Sequence, residues 1–387
     1  MILPKVVTLL INYRRFLLLP LVIGSLITIP SCSKKIEAQT IEPIVETVEL
    51  SESFAVNYNQ LVKGIVIVGN YIKGISGKLG LNSYGTGFIF KEDDNYYYFL
   101  TNRHVVKGAE ELRITLWTKQ EKVVTLLGTA LTMDFAVFRI EKSEYPEAYV
   151  LPLGDTSLFA NPEVGDTIYT IGNPYTTSLY NTLCRGVVSG INRVVSNTNH
   201  PLSLQSHAIQ IDATINSGNS GGPLLNEKGE VIGINTLGLT SDKIKIQTLK
   251  FALPIHDAYL AANKIIDSYS DGGVIKVLGG FTPAEISESN VYTSMLYVDY
   301  FTREKYGIPV TQGVYVKSQS SDSVLGIQDH SIIVGLDGYN IKDVVELRRI
   351  IYAHEPGDSI ELKYYEFNGQ GYDELKTKMI TLIKYGG

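Results

Sequence analysis

Ten short apolar runs, each closed by a turn signal, leave this chain little choice of architecture. The runs at 65–68, 87–90, 97–101, 112–117, 135–140, 167–171, 186–191, 208–211, 231–234 and 251–254 read as strands. Clusters such as Glu92-Asp93-Asp94-Asn95 and Asn226-Glu227-Lys228-Gly229 separate them. Many short strands at close spacing belong to barrels or sandwiches. Composition agrees, with 35 glycines and 25 tyrosines against one tryptophan in 387 residues. Apolar residues make up 44% and charged residues 19%, which excludes disorder over most of the length. The 34 basic and 40 acidic side chains leave a net charge of −6 and exclude a generally basic nucleic-acid binder.

The N-terminus reads as a targeting segment. Lys5, Arg14 and Arg15 precede an apolar run over 16–29. As a helix that run spans only about 21 Å, short of the ~30 Å hydrocarbon core of a bilayer. It suits a secretory signal over 1–31. The run ends Ile29-Pro30-Ser31-Cys32, which resembles a bacterial lipobox with Cys32 as the lipidated residue. An ordinary cleaved signal and an uncleaved anchor stay open as alternatives. Residues 32–53 are polar and Glu-rich and read as a tether between membrane and folded body.

The first convincing helix covers 256–269 (HDAYLAANKIIDSY), and Asp271-Gly272-Gly273 then marks a boundary. The chain divides into a strand-rich domain over 54–270 and a smaller α+β domain over 274–387. In the second, 314–317, 332–336 and 359–365 read as strands. Asp343 and Glu346 form a capping-box-like start for a helix over 344–352 that ends at Gly357.

Chemistry concentrates in three places. Asn216-Ser217-Gly218-Asn219-Ser220-Gly221-Gly222-Pro223 sets one serine among glycines, the composition of a tight turn that exposes a hydroxyl. Such a turn points the backbone N–H groups of Gly218 and Ser220 at one spot, where an oxyanion develops in acyl transfer. A serine hydroxyl needs a base, and Thr101-Asn102-Arg103-His104 offers an imidazole directly after a strand. The base needs an orienting acid, and Asp134 stands at the mouth of the next apolar run. Taken singly, each of these residues also fits a turn, a strand end or a cap. With two cysteines, Cys32 and Cys184, and no HExxH or CxxC, the sequence implies no metal and no organic cofactor. Cys184 reads as a small buried hydrophobe.

The order His104, Asp134, Ser220 with its flanks resembles trypsin-like serine proteases. DATINSGNSGGPL at 212–224, TNRHVV, DFAV, GTGFIF, IGNPY, GVVSG and FALPI look like the HtrA/Deg branch, over about 54–262. The resemblance implies a mostly β chain with a trypsin-like double β-barrel, a triad on His104, Asp134 and Ser220, and an oxyanion hole on Gly218 and Ser220. VLGG at 277–280, GVYV at 313–316 and SIIVGLDGYNI at 331–341 resemble a PDZ domain, which follows the protease in that family. The implied carboxylate-binding loop is Leu278, Gly279 and Gly280, and the implied peptide-accepting strand is Val314, Tyr315 and Val316. A PDZ-shaped packing domain without a ligand is the alternative.

The family implies an envelope serine endopeptidase that cleaves misfolded or damaged proteins, held on the periplasmic or surface side of a membrane by a lipid. C-terminal peptides are its possible regulators, and nucleic acid is not among its partners. A homotrimer would form through 54–61 (FAVNYNQL), with Phe54 and Tyr58 as contacts. Two other readings use the same residues: a chaperone or scaffold that binds unfolded chains, and a PDZ-regulated signalling protease with one membrane partner.

Overall fold

The computed structural model describes residues 58–130, 133–173, 180–197, 204–236, 249–269, 276–278, 292–294, 300–316, 325–355 and 357–382. The signal segment, Cys32, the tether, Phe54, Gly279 and Gly280 lie outside these residues.

Alternating or continuous apolar runs close into two barrels. The first uses β1 (Ile65–Lys73), β2 (Leu79–Glu92), β3 (Tyr96–Thr101), β4 (Glu111–Thr115), β5 (Glu121–Ala130) and β6 (Ala136–Glu141). Its order is β5-β4-β1-β2-β3-β6, and pairing of β5 with β6 closes the ring. The second uses β7 (Thr167–Gly172), β8 (Thr182–Asn197), β9 (Leu204–Ile211), β10 (Pro223–Leu225), β11 (Val231–Thr236) and β12 (Lys250–Pro254), in the closed order β10-β11-β12-β9-β8-β7. Closure brings the first and last strands of each ring together, so each barrel can bury one face of every strand. Val66, Val68, Ile89, Phe99 and Phe138 fill the first barrel, where the Phe99 and Phe138 rings stack 4.8 Å apart. Ile168, Val188, Ile209, Ile211 and Leu224 fill the second.

A third cluster joins the barrels. Phe88, Leu100, Phe135 and Val137 of the first meet Ile171, Leu225, Ile234 and Leu253 of the second. Two short helices complete this body: α1 (Arg103–Val106), which the sequence pattern gives no sign of, and α2 (Ile255–Ser268). Helix α2 lays Ile255, Ala258, Ala262 and Ile265 into the joint cluster, the spacing of one helical face. The seam matters because His104 comes from one barrel and Ser220 from the other.

β13 (Lys276–Leu278) lies beyond the expected boundary yet runs parallel to β5, so Leu278 belongs to the first barrel's sheet. The C-terminal domain is a sheet of β14 (Tyr292–Ser294), β15 (Val314–Val316), β16 (Ile332–Leu336), β17 (Tyr339–Asn340), β18 (Ser359–Tyr365) and β19 (Lys376–Thr381). Two helices go with it, α3 (Tyr300–Tyr306) and α4 (Val344–Tyr352). Val314, Tyr315 and Val316, the strand read as peptide-accepting, form β15. β14 pairs with one side of β15 and β16 with the other, so backbone hydrogen bonds from within the chain already occupy both edges.

Helix α4 starts as its sequence suggests. Asp343 Oδ1 accepts from Val345 N at 2.9 Å and Glu346 N at 3.0 Å, while Glu346 Oε2 accepts from Lys342 N at 2.7 Å. This helix also makes the domain junction. Arg349 donates twice to Asp257 of α2, Nε to Oδ1 at 2.6 Å and Nη2 to Oδ2 at 3.0 Å. Asp343 meets His207 Nε2 of β9 at 2.5 Å. Lys264 of α2 donates to Glu355 Oε1 at 2.6 Å.

Candidate active site

The end of β3 sets the imidazole. Thr101 is fully buried, and its hydroxyl donates to Thr86 O at 2.7 Å, which anchors the strand just before the chain turns into α1. Asn102 then donates through Nδ2 to Asp134 O at 2.7 Å. His104 follows, part-exposed, with its Nδ1 2.7 Å from Asp134 Oδ2. Its own backbone N–H donates to Asp134 Oδ1 at 3.0 Å. A carboxylate only accepts, so Nδ1 carries a proton, and in the neutral imidazole the lone pair is then on Nε2. Nε2 has no hydrogen-bond partner among the described residues.

Asp134 has one more partner. Thr236 Oγ1, at the end of β11 in the second barrel, donates to Asp134 Oδ2 at 3.1 Å. Both carboxylate oxygens are therefore engaged, and the side chain is held from both barrels. The sequence gives no local sign of Thr236. It lies 102 residues from Asp134 and meets it only because the barrels pack.

Ser220 sits in the glycine turn. Asn219 N donates to Asn216 O at 3.0 Å, Gly222 N to Asn219 O at 3.1 Å, and Thr86 N to Ser220 O at 2.8 Å. Gly218 has φ +99°, a conformation L side chains avoid, and a Cβ there would lie 2.1 Å from Asn173 O. The N–H groups of Gly218 and Ser220 make no hydrogen bond to the described backbone, while Asn219 between them does. Ser220 Oγ is buried and without a hydrogen-bond partner among the described residues.

Gly85 shows how near the two sides come. A Cβ built on it would lie 2.6 Å from Val105, the residue after His104, and 2.9 Å from Ser220 O. The serine backbone and α1 are thus separated by about the width of one glycine. The structure brings His104 and Asp134 into direct contact and sets Ser220 across that gap, with no Ser220–His104 hydrogen bond formed.

Residues 85–234 match the family model for the trypsin-like peptidase domain. The two barrels have the fold of trypsin-like proteases. The chain's relatives are HtrA-type proteases. "Serine protease Do-like HtrA" of Bacillus subtilis (strain 168) is 32% identical over 285 residues, 72% of this chain and 60% of that protein. "Probable periplasmic serine endoprotease DegP-like" of Halomonas elongata is 31% identical over 284 residues, 73% of this chain and 53% of that protein. The chain therefore spans between half and two thirds of the length of these relatives. Among solved structures, "HtrA-type protease AlgW with decapeptide" superposes with a TM-score of 0.60 at 22% identity, covering 87% of this chain and 99% of that one. That likeness concerns the fold. The peptidase match takes in His104, Asp134 and Ser220 and stops before the C-terminal domain.

Proposed function

We propose that this chain is a serine endopeptidase of the HtrA kind, acting on misfolded or damaged proteins in a bacterial envelope. The observation that carries the reading is the imidazole held by Asp134 through Nδ1, together with a buried serine hydroxyl in the other barrel that has no partner among the described residues. Ser220 Oγ attacks the scissile carbonyl carbon as His104 Nε2 takes its proton. The oxyanion is met by the N–H groups of Gly218 and Ser220. Collapse breaks the C–N bond, and the imidazolium returns its proton to the leaving amine. Water, deprotonated by His104, then hydrolyses the acyl-enzyme.

No hydrogen bond joins the Ser220 hydroxyl and the His104 imidazole, so the two must meet for the proton to pass. Cys32 as a lipid anchor, 54–61 as a trimer contact and the C-terminal domain as a PDZ-like regulator belong to the same reading. With both edges of β15 filled, a C-terminal peptide would have to displace β14 before adding to that strand.

The test is hydrolysis of unfolded casein by the full chain and by Ser220→Ala. Loss of the nucleophile costs on the order of 10⁶ in turnover, so the variant should be inert. Equal degradation by both proteins would end the reading.

A further inference from the structure

The serine turn is held from outside by a hydroxyl whose valence is fully used. Thr86, on β2, is completely buried, and its Oγ1 donates to Gly218 O at 2.7 Å. The same oxygen accepts from Asn173 N at 3.1 Å and from Asn173 Nδ2 at 3.0 Å. A threonine hydroxyl has one proton and two lone pairs. Two donors occupy the lone pairs, so the proton has one direction left, toward Gly218 O. The amide orientation of Asn173 is fixed independently, because its Oδ1 accepts from the backbone N–H of Asn181 at 2.9 Å. Asn173 Nδ2 also faces Val66 O at 3.4 Å.

We propose that Thr86 and Asn173 are positioning residues for the oxyanion turn: Asn173 orients the Thr86 hydroxyl, and that hydroxyl sets the Gly218 carbonyl and with it the neighbouring N–H donors. This rests on the protease reading above. Gly218 has φ +99° and no side chain of its own to hold it. Its carbonyl is gripped by Thr86, and the N–H of the same peptide unit, on Asn219, is gripped by Asn216 O. With that unit clamped at both ends, the Gly218 and Ser220 N–H groups on either side of it are fixed in direction before substrate arrives. Donors fixed in advance lose nothing to reorganisation when charge develops. Without the Thr86 proton, the glycine unit is free to turn, since no β-carbon restrains it. Neither residue touches the scissile bond.

The test compares Thr86→Val, which keeps the shape and removes the hydroxyl, with Thr86→Ser, which keeps the hydroxyl. Peptide hydrolysis by the full chain should show kcat ~10–100-fold lower in Thr86→Val, less than the ~10²–10³-fold that outright loss of an oxyanion donor costs. KM should move by less than about twofold, the pattern of an interaction realised in the transition state. Thr86→Ser should recover to within about threefold of wild type, because the hydrogen bond is retained. Asn173→Asp keeps the acceptor for Asn181 and loses the amide donor. The new carboxylate oxygen competes with Gly218 O for the Thr86 proton, so kcat should fall, and the double variant should be no worse than Thr86→Val alone, because both act through one hydroxyl. Crystal structures of the variants read the same claim without turnover: the Gly218 carbonyl should leave its wild-type position in Thr86→Val and keep it in Thr86→Ser. A wild-type protein without activity would sink the protease reading and leave the structures to judge the positioning claim. Equal losses in Thr86→Val and Thr86→Ser, or an unmoved Gly218 in Thr86→Val, would overturn the proposal.

Discussion

Two acid–base pairs in this molecule have similar contact distances and opposite surroundings. His104 meets Asp134 at 2.7 Å with 37% and 22% of the two side chains exposed. Arg349 meets Asp257 at 2.6 Å with 2% and 5% exposed. The first pair joins an imidazole that can change protonation to a carboxylate that orients it, and leaves Nε2 open. The second joins two groups with no free valence toward solvent and ties α4 to α2 across the domain junction. Solvent access and a spare lone pair mark the pair fit for chemistry. Burial and bidentate geometry mark the pair that positions a domain.

Removing one partner of the buried pair should produce the largest stability effect. Asp257→Ala leaves the Arg349 guanidinium buried without its counter-ion, at a cost of about 3–5 kcal/mol. Chemical denaturation should show the midpoint fall by a matching amount. A change below about 1 kcal/mol, the range of surface ion pairs, would erase the contrast between the two pairs.

A somewhat smaller effect is expected from pH. Burial pushes His256 down to about 4, opposed in part by Asp257 and reinforced by Arg349, with weaker influences from Asp155 and His207. The unfolded chain therefore binds a proton near pH 6.5 that the folded chain refuses until about pH 4. This contribution is fully present above pH 6.5 and is lost as pH falls from there toward 4, roughly 3 kcal/mol in all at ~1.4 kcal/mol per unit. Asp257 and Asp343 act lower on the scale. Their carboxyls are held below the usual range despite burial, Asp257 by Arg349 and Asp343 by His207, so their contribution is lost only as pH falls through the acid range. Thermal melts from pH 7 to 4.5 should fall steadily in wild type and flatten in His256→Gln. Parallel curves would assign the acid sensitivity elsewhere.

Much of this was legible in the sequence for a physical reason. Strands such as β1 and β6 are continuous apolar runs, and α4 announces itself through Asp343 and Glu346. β5 was not legible. Its Glu121, Lys122 and Thr125 alternate imperfectly with apolar residues because it bends around the barrel through a register shift at Leu126/Gly128. β10 begins at Pro223, a residue that ordinarily argues against a strand. His104, Asp134 and Ser220 stood out because each carries a local motif. Thr236 carries none, and Thr86 and Asn173 stand inside GTGFIF and IGNPY without a legible role, because the work of all three is done across 102, 132 and 87 residues of chain by hydrogen bonds that only the packed barrels create.

Reaction of the purified full chain with a fluorophosphonate, followed by intact mass, bears most directly on whether Ser220 is an activated nucleophile. One adduct per chain, absent in Ser220→Ala and slowed by about 10⁴ in Asp134→Asn as the imidazole loses its tautomer, is the predicted result. An adduct that survives in Ser220→Ala, or wild-type protein that stays unmodified, would contradict it.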